Sequence, residues 1–201
     1  SENEKIDVLV NNAGNLFNPR GESTEGIEQS FALLLLAPYV LTKALHPLLR
    51  KSQGRVINVT SGGMYTQGIS PDDLESKTGD YSGSVAYAKA KRGLMICTEE
   101  WAKQWKGDGI TVNAMHPGWA ETPSVINALP EFYKLTKNIL RTPQQGGDTI
   151  SWLAASTPAG KVSGKLFLDR EPHMNYVLGN TIETDSEREL FLKNLENYVN
   201  K

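Results

Sequence analysis

The chain has 201 residues, which is enough for one globular domain with a substantial core. An apolar share of 39% and a charged share of 22% are ordinary for a water-soluble protein, and a formal net charge of −2 gives no reason to expect nucleic acid or an anionic membrane as a partner. The single cysteine, Cys97, excludes an internal disulfide and suits a reducing, cytoplasmic setting. The 3 histidines are scattered, so no metal site is expected.

Strands and helices are predicted to alternate along the sequence. Short β-branched runs predict strands at 6–10, 55–60, 110–115 and 164–168. Apolar residues at helical spacing predict helices at 24–50, 85–106, 143–155 and 185–199, with Pro38 expected to break or kink the first of them. This alternation predicts an α/β fold with a doubly wound parallel sheet, formed by residues 1–201 as a single domain.

The first predicted strand lacks an expected neighbour. Residues 6–10 are almost continuously apolar, which is typical of a parallel strand covered on both faces inside a sheet. Because this strand comes first in the chain, we expect that strands preceding it in the fold are missing from the sequence. The longest apolar run, 31–38, is far shorter than the ~20 residues of a bilayer span, and the polar first residues predict no signal peptide.

Three segments have the spacing Tyr-x-x-x-Lys, beginning at Tyr39, Tyr87 and Tyr133. Residues four apart share a helix face, so Lys91 is expected to lie near Tyr87 and to lower the pKa of its phenol. Only this segment follows a strand that leads to a serine, Ser61, at the sheet edge where α/β folds bind ligands. The other two segments are therefore interpreted as surface or packing residues.

Taken together, the motifs resemble the short-chain dehydrogenase/reductase superfamily. Asn11-Asn-Ala-Gly14, the strand ending at Ser61, Tyr87-x-x-x-Lys91 and Pro117-Gly118 occur in that family's order. The chain is similar to the carboxyl-terminal two-thirds of the family's domain. The resemblance implies a Rossmann-like sheet that lacks the first strands of the fold.

The same resemblance implies an oxidoreductase that uses NAD or NADP and acts on a small-molecule carbonyl compound or secondary alcohol. Ser61 would orient the substrate oxygen, Tyr87 would be the acid/base, and Lys91 would assist it and bind the cofactor ribose. The implied cofactor-binding residues are Asn11, Ala13, Gly14, Tyr87, Lys91, Pro117, Gly118 and Thr122. The family also implies a homodimer formed through the helix that carries Tyr87.

The segment after Pro117-Gly118 is expected to form a substrate lid. It comprises Trp119 and the helical excursion 123–140, in the part of the chain that the family uses for specificity. Its apolar residues suggest a lipophilic substrate, although they could equally pack the helix; they are Val125, Ile126, Leu129 and Phe132.

Two departures from the family pattern leave a second hypothesis open. No Gly-x-x-x-Gly-x-Gly or Gly-x-Gly-x-x-Gly, the loop that holds a pyrophosphate, occurs in 1–201. Leu34 stands where relatives carry an asparagine that holds a water of the proton relay, and leucine cannot hydrogen-bond water. The chain is therefore either an oxidoreductase or a catalytically inactive fragment that acts through protein contacts.

Overall fold

A five-stranded sheet forms the centre of the computed structural model, which describes residues 4–121 and 130–200, apart from the side chains of residues 130 and 132. The strand order follows the chain order. The first four strands run parallel and the fifth runs antiparallel to the fourth. The strands are β1 (Val8–Asn11), β2 (Arg55–Val59), β3 (Thr111–Met115), β4 (Leu166–Leu168) and β5 (Glu171–His173).

Helices connect the strands, as parallel pairing requires. They are α1 (Gln29–Phe31), a π turn (Ala32–Leu36), α2 (Ala37–Ser52), α3 (Gly83–Gln104), α4 (Pro130–Thr136), α5 (Pro143–Ala155) and α6 (Asp185–Val199). A 3₁₀ turn at Gly62–Thr66 follows β2. The α/β fold with its mainly parallel sheet is therefore confirmed.

The core lies on both faces of the sheet. Leu9, Val56 and Val112 pack in one buried cluster with residues of the π turn, α2, α3 and α6. Ile57 and Met115 belong to a second cluster that includes Leu153 of α5. Because successive side chains of a strand point to opposite faces, β2 and β3 each contribute to both clusters. Helices thus cover both sides, as the doubly wound prediction requires.

The helix that contains Pro38 does not break. Residues Gln29–Ser52 form one helical stretch, and the irregularity is the π turn before Pro38, where the Ala37 N–H donates to the Ala32 carbonyl. Proline has no N–H, so the carbonyl of Leu34 cannot receive the bond that residue 38 would supply in a regular α-helix. Of the two predicted outcomes, a break or a kink, the break does not occur, since the wider turn accommodates the proline.

The same stretch, Gln29–Ser52, is long and apolar enough to cross a membrane by length and composition alone. Core helices of soluble domains also meet this criterion. Here Leu34, Leu35 and Leu49 are at most 2% exposed and belong to the cluster on the sheet. One side of the helix therefore packs on the sheet, and 33% of its most apolar window is buried inside the protein.

Strand β1 lies at the edge of the sheet. Within residues 4–121 and 130–200 it pairs with β2 alone, and Val10 is 37% exposed. A further strand beyond β1 remains a prediction. At the other edge β5 was not predicted, because its three exposed residues, Glu171–His173, carry no apolar alternation and one of them is proline.

A candidate active site at the carboxyl ends of the strands

Ser61 lies just beyond the carboxyl end of β2. The preceding residue, Thr60, is fixed to β3, because its N–H and its hydroxyl both donate to the Met115 carbonyl, at 2.7 and 3.1 Å. The Ser61 hydroxyl caps the 3₁₀ turn by accepting from the Gly63 N–H at 3.2 Å. The same side chain lies close enough to Tyr87 to influence the pKa of its phenol. Backbone and cap thus hold Ser61 at the sheet edge, facing the phenol.

Tyr87 and Lys91 lie one turn apart on α3, as the spacing predicts. The Lys91 side chain is buried, with 2% exposure, and its Nζ donates to the Val59 carbonyl at 2.7 Å. Nζ is 5.8 Å from the centre of the Tyr87 ring. The structure therefore brings Ser61, Tyr87 and Lys91 together at the end of β2.

The pKa of Tyr87 differs from the value that the helix spacing predicts. Burial raises the pKa of Tyr87, and the interaction with Ser61 opposes that shift only in part. Burial also lowers the pKa of Lys91 to about 8. The predicted lowering of the Tyr87 pKa is wrong, because loss of water around the phenol outweighs the opposing interaction with Ser61. Both groups are shifted toward their neutral forms.

The segment after β1 borders the lysine. Asn11 is 7% exposed, and its Nδ2 donates to Thr42 Oγ1 at 2.9 Å and to Asn58 Oδ1 at 2.7 Å. These bonds fasten β1 to α2 and β2, so the Asn11 amide is engaged within the protein. Ala13 and Gly14 are exposed at the carboxyl end of β1.

Gly14 leaves space next to Lys91. A β-carbon on Gly14 would lie 3.2 Å from Leu34 Cδ2 and 3.7 Å from Lys91 Nζ. Lys91 has three N–H donors, and among the described residues only the Val59 carbonyl accepts from them. Two of its donors therefore remain available for the hydroxyls of a cofactor ribose. Leu34 lies near the lysine, on the other side of the space that a β-carbon on Gly14 would fill, and its correspondence to the relay asparagine remains a prediction.

Pro117 and Gly118 follow β3 at the same edge. Gly118 has a φ of +70°, a conformation that favours glycine, and a β-carbon there would lie 2.9 Å from Arg141 Cζ, so the arginine would have to move. Its N–H donates to His116 Nδ1 at 3.1 Å. The His116 ring in turn lies against Gly62, with Cε1 3.8 Å from the position of a β-carbon on that residue. The predicted Pro-Gly segment thus lies next to the Ser61 turn.

Two residues at this edge were not identified from the sequence. Burial lowers the pKa of His116, and because its Nδ1 accepts from Gly118, the neutral ring carries its proton on Nε2. Arg141 is joined to Asp169 by two hydrogen bonds of 2.5 and 2.7 Å and donates to the Pro117 carbonyl at 3.3 Å. His116 directly precedes Pro117 and could have been noticed. Arg141 comes from a distant segment and carried no such signal.

The remaining predicted residues lie elsewhere or outside the description. Thr122 and residues 123–129 fall outside the described residues, as does the side chain of Phe132, while Trp119 is 56% exposed. Tyr133 donates to Glu121 at 2.5 Å. Within the described part of the chain, no group of three or more His, Cys, Asp or Glu residues could hold a metal ion.

Comparison with known sequences identifies a family model and relatives that match most of this chain. The family model described as enoyl-(acyl carrier protein) reductase matches residues 1–164. The human protein named dehydrogenase/reductase SDR family member 12 is 39% identical over 198 residues, which cover 97% of this chain and 62% of that protein. Human retinol dehydrogenase 13 is 32% identical over 179 residues, covering 83% of this chain and 53% of that protein. The chain thus spans about three fifths of the first relative's length.

Solved structures agree on the fold. An uncharacterized protein from Mycobacterium paratuberculosis has a TM-score of 0.75 at 20% identity, covering 98% of this chain and 68% of that one. An oxidoreductase of the short-chain dehydrogenase/reductase family from Brucella ovis, solved with a partially ordered NAD, has a TM-score of 0.51 at 27% identity, covering 82% of this chain and 65% of that one. By its sequence match and its fold, this chain belongs to the short-chain dehydrogenase/reductase family.

Proposed function

We propose that the chain is, or is part of, an NAD(P)-dependent oxidoreductase that interconverts a carbonyl compound and a secondary alcohol. The observation that carries the proposal is the cluster at the end of β2, where Ser61 interacts with Tyr87 and Lys91 is anchored on the Val59 carbonyl. This arrangement supplies a proton donor, a group that holds a substrate oxygen, and a buried cation within a few ångströms of one another.

Each side chain has a separate task in this proposal. Ser61 holds the substrate oxygen against the Tyr87 hydroxyl, and Tyr87 gives that oxygen a proton or takes one from it. Because its pKa is raised, Tyr87 is protonated at neutral pH and can give its proton to a carbonyl oxygen during reduction. When bound, a nicotinamide cofactor supplies or accepts the hydride. Lys91 directs its two remaining N–H donors toward the opening beside Gly14.

Substrate and cofactor are proposed in less detail. The similarity to human retinol dehydrogenase 13 supports an alcohol or carbonyl substrate, and a lipophilic one is proposed because the segment after Gly118 is apolar. NAD or NADP is proposed as cofactor, supported by the Brucella ovis relative with its NAD. A cytoplasmic location is proposed from the single buried cysteine.

The proposal is tested first by binding and then by turnover. The chain is titrated with NADH and with NADPH while nicotinamide fluorescence is followed, and saturable enhancement with one of them is expected. Tyr87→Phe should then lose about 10²-fold or more in turnover with cofactor affinity unchanged, because only the proton donor is removed. Retained turnover in this variant would refute the acid/base role.

The second candidate is a catalytically inactive fragment that acts, if at all, through protein contacts. It is motivated by the absence of a glycine-rich phosphate loop from the sequence and by Leu34 beside Lys91. Absence of binding at millimolar NADH and NADPH, in a sample whose circular dichroism shows the α/β fold, would favour this candidate over the enzyme.

A further inference from the structure

Arg92 is a buried cation to which the proposed chemistry gives no task. It directly follows Lys91 on α3, and it is fully buried. Within residues 4–121 and 130–200, its Nη2 has no hydrogen-bond partner. A buried guanidinium with an unpaired donor lowers stability unless its other contacts compensate for the lost water. The contacts of Nε and Nη1 therefore indicate what this arginine does.

The first of these contacts holds the turn that follows Ser61. Arg92 Nε donates to the Met64 carbonyl at 3.2 Å, and the Met64 N–H donates to the Ser61 carbonyl at 3.0 Å. On the other side of the serine, Lys91 holds the last residue of β2. Two consecutive cations of α3 thus fix the backbone on both sides of Ser61. The same helix carries Tyr87, so these bonds determine how the serine lies relative to the phenol.

The second contact reaches residues 174–176, which we call the connecting segment. Arg92 Nη1 donates to the Asn175 carbonyl at 2.8 Å. The hydroxyl of Tyr65, in the same turn as the first contact, donates to the Met174 carbonyl at 2.6 Å. The turn and the connecting segment are therefore joined twice, once through the guanidinium and once through the phenol.

The connecting segment is itself bound to α3. Asn175 Nδ2 donates to Glu99 Oε1 at 2.6 Å, and the Tyr176 hydroxyl donates to Glu99 Oε2 at 3.2 Å. The Tyr176 ring also covers the guanidinium, with its centre 4.5 Å from Arg92 Cζ. Helix α3, the turn and the connecting segment are thus linked to one another, and Arg92 contacts all three.

Only an arginine can make both carbonyl contacts. The planar guanidinium directs Nε and Nη1 to two acceptors at once, whereas lysine ends in a single nitrogen. Replacement of Arg92 by lysine would keep the charge but lose one or both of these bonds.

We propose that Arg92 is a positioning residue, which sets the place of Ser61 relative to Tyr87 by holding the turn after the serine to α3 and to the connecting segment. The proposal rests on the proposed function, because its consequence is that the substrate-holding serine stays against the proton donor. Arg92 is fully buried and acts through Ser61, not by contact with a substrate.

The titration of Tyr87 tests this positioning without a substrate. The interaction with Ser61 lowers the pKa of the phenol, so a displaced serine should raise the titration midpoint. The chain is labelled with fluorotyrosine, and the fluorine resonance of residue 87 is identified by its absence from Tyr87→Phe. We expect Arg92→Lys to raise the midpoint as Ser61→Ala does. Combined with Ser61→Ala, Arg92→Lys should add no further shift, because it acts through the serine.

Arg55 provides a matched control. Its Nη1 donates to the carbonyls of Leu153 and Ser156 at 2.8 and 2.7 Å, so Arg55→Lys also breaks an arginine bridge between two carbonyls. Because Arg55 begins β2, at the end of the strand opposite to Ser61, this variant should leave the Tyr87 midpoint unchanged. An equal shift in Arg55→Lys, or additive shifts in the double variant with Ser61→Ala, would indicate general loosening and overturn the proposal.

Tyr65→Phe is the second variant, and it decides the question if Arg92→Lys loses its circular dichroism signal. It removes only the other link between the turn and the connecting segment, and it should also raise the midpoint. An unchanged midpoint in folded Arg92→Lys, or in Tyr65→Phe where that variant alone folds, would overturn the proposal. Failure of the proposed function is a separate result, in which the wild-type chain binds neither NADH nor NADPH while Arg92→Lys still shifts the midpoint.

Discussion

Lys91 illustrates how one residue can serve a site while reducing stability. Its ammonium is 2% exposed, and burial lowers its pKa to about 8, so below that pH the folded chain must hold a charge in a poorly solvated place. The hydrogen bond to the Val59 carbonyl offsets this cost only in part. Retention of a costly group beside Tyr87 is typical of residues kept for activity.

The pH dependence of stability tests this account. Between pH 8 and about 10.5 the unfolded chain binds a proton at Lys91 that the folded chain does not, so this group contributes increasing stability as the pH rises through that window. Lys91→Met removes the effect. The stability of the variant relative to the wild type should therefore fall by about 3 kcal/mol from pH 8 to pH 10.5 in urea unfolding. A difference that is constant with pH would contradict the assigned burial cost.

Leu34 allows the proton-relay hypothesis to be tested at a single position. Its side chain is fully buried and lies against the position of a β-carbon on Gly14, close to Lys91. Leu34→Asn should lower the free energy of unfolding by about 1–3 kcal/mol, because an amide replaces a buried apolar group. If the leucine limits proton transfer, turnover should nevertheless rise. Leu34→Ala, which only opens a cavity, is the control and should not gain turnover.

At the scale of elements, the sequence predicted the bounds of helices whose structure is determined by residues close together in the chain. Helices α5 and α6 have the predicted bounds because each begins at a capping box, formed by Thr142 with Gln145 and by Thr184 with Glu187. The π turn before Pro38 could not be predicted, since the pattern of apolar residues does not distinguish a widened helix from a kinked one.

In the candidate site, too, part of the arrangement could be predicted from the sequence and part could not. The proximity of Ser61, Tyr87 and Lys91 followed from motif order and helix spacing, because parallel strands end at one edge. The direction of the Tyr87 pKa shift did not follow, since it depends on burial by segments that are distant in the sequence. Spacing indicates which groups meet, whereas packing determines their protonation.

The start of α3 gives a prediction about how the elements of the site are held together. A β-carbon on Gly83 would lie 2.1 Å from the backbone oxygen of Phe17, so the segment between β1 and α1 packs directly on this glycine. Gly83→Ala should destabilise the fold by about 2–3 kcal/mol, because backbone must move. Gly107→Ala, where a β-carbon meets open space, is the matched control and should change the urea midpoint little. Equal effects would show that packing on Gly83 is not the cause.

At the scale of the whole molecule, ion pairs connect helix α6 to helix α3. Arg188 of α6 contacts Glu99 and Glu100 of α3, and it also pairs with Glu183 just before α6. Its side chain is 18% exposed and that of Glu183 is 2% exposed. Removal of the single cation would leave three carboxylates close together with little water around them.

Arginine-to-methionine substitutions at two sites compare this cluster with a surface pair. Arg188→Met should lower the free energy of unfolding by about 3 kcal/mol, since it leaves buried carboxylates without their cation. Arg170 also makes two short bonds, 2.7 and 2.5 Å, to Asp148, but their side chains are 52% and 45% exposed. Arg170→Met should therefore cost less than about 1 kcal/mol. Urea unfolding at one pH and salt concentration measures both, and similar losses would mean that the Arg188 cluster does not hold the carboxyl-terminal segment.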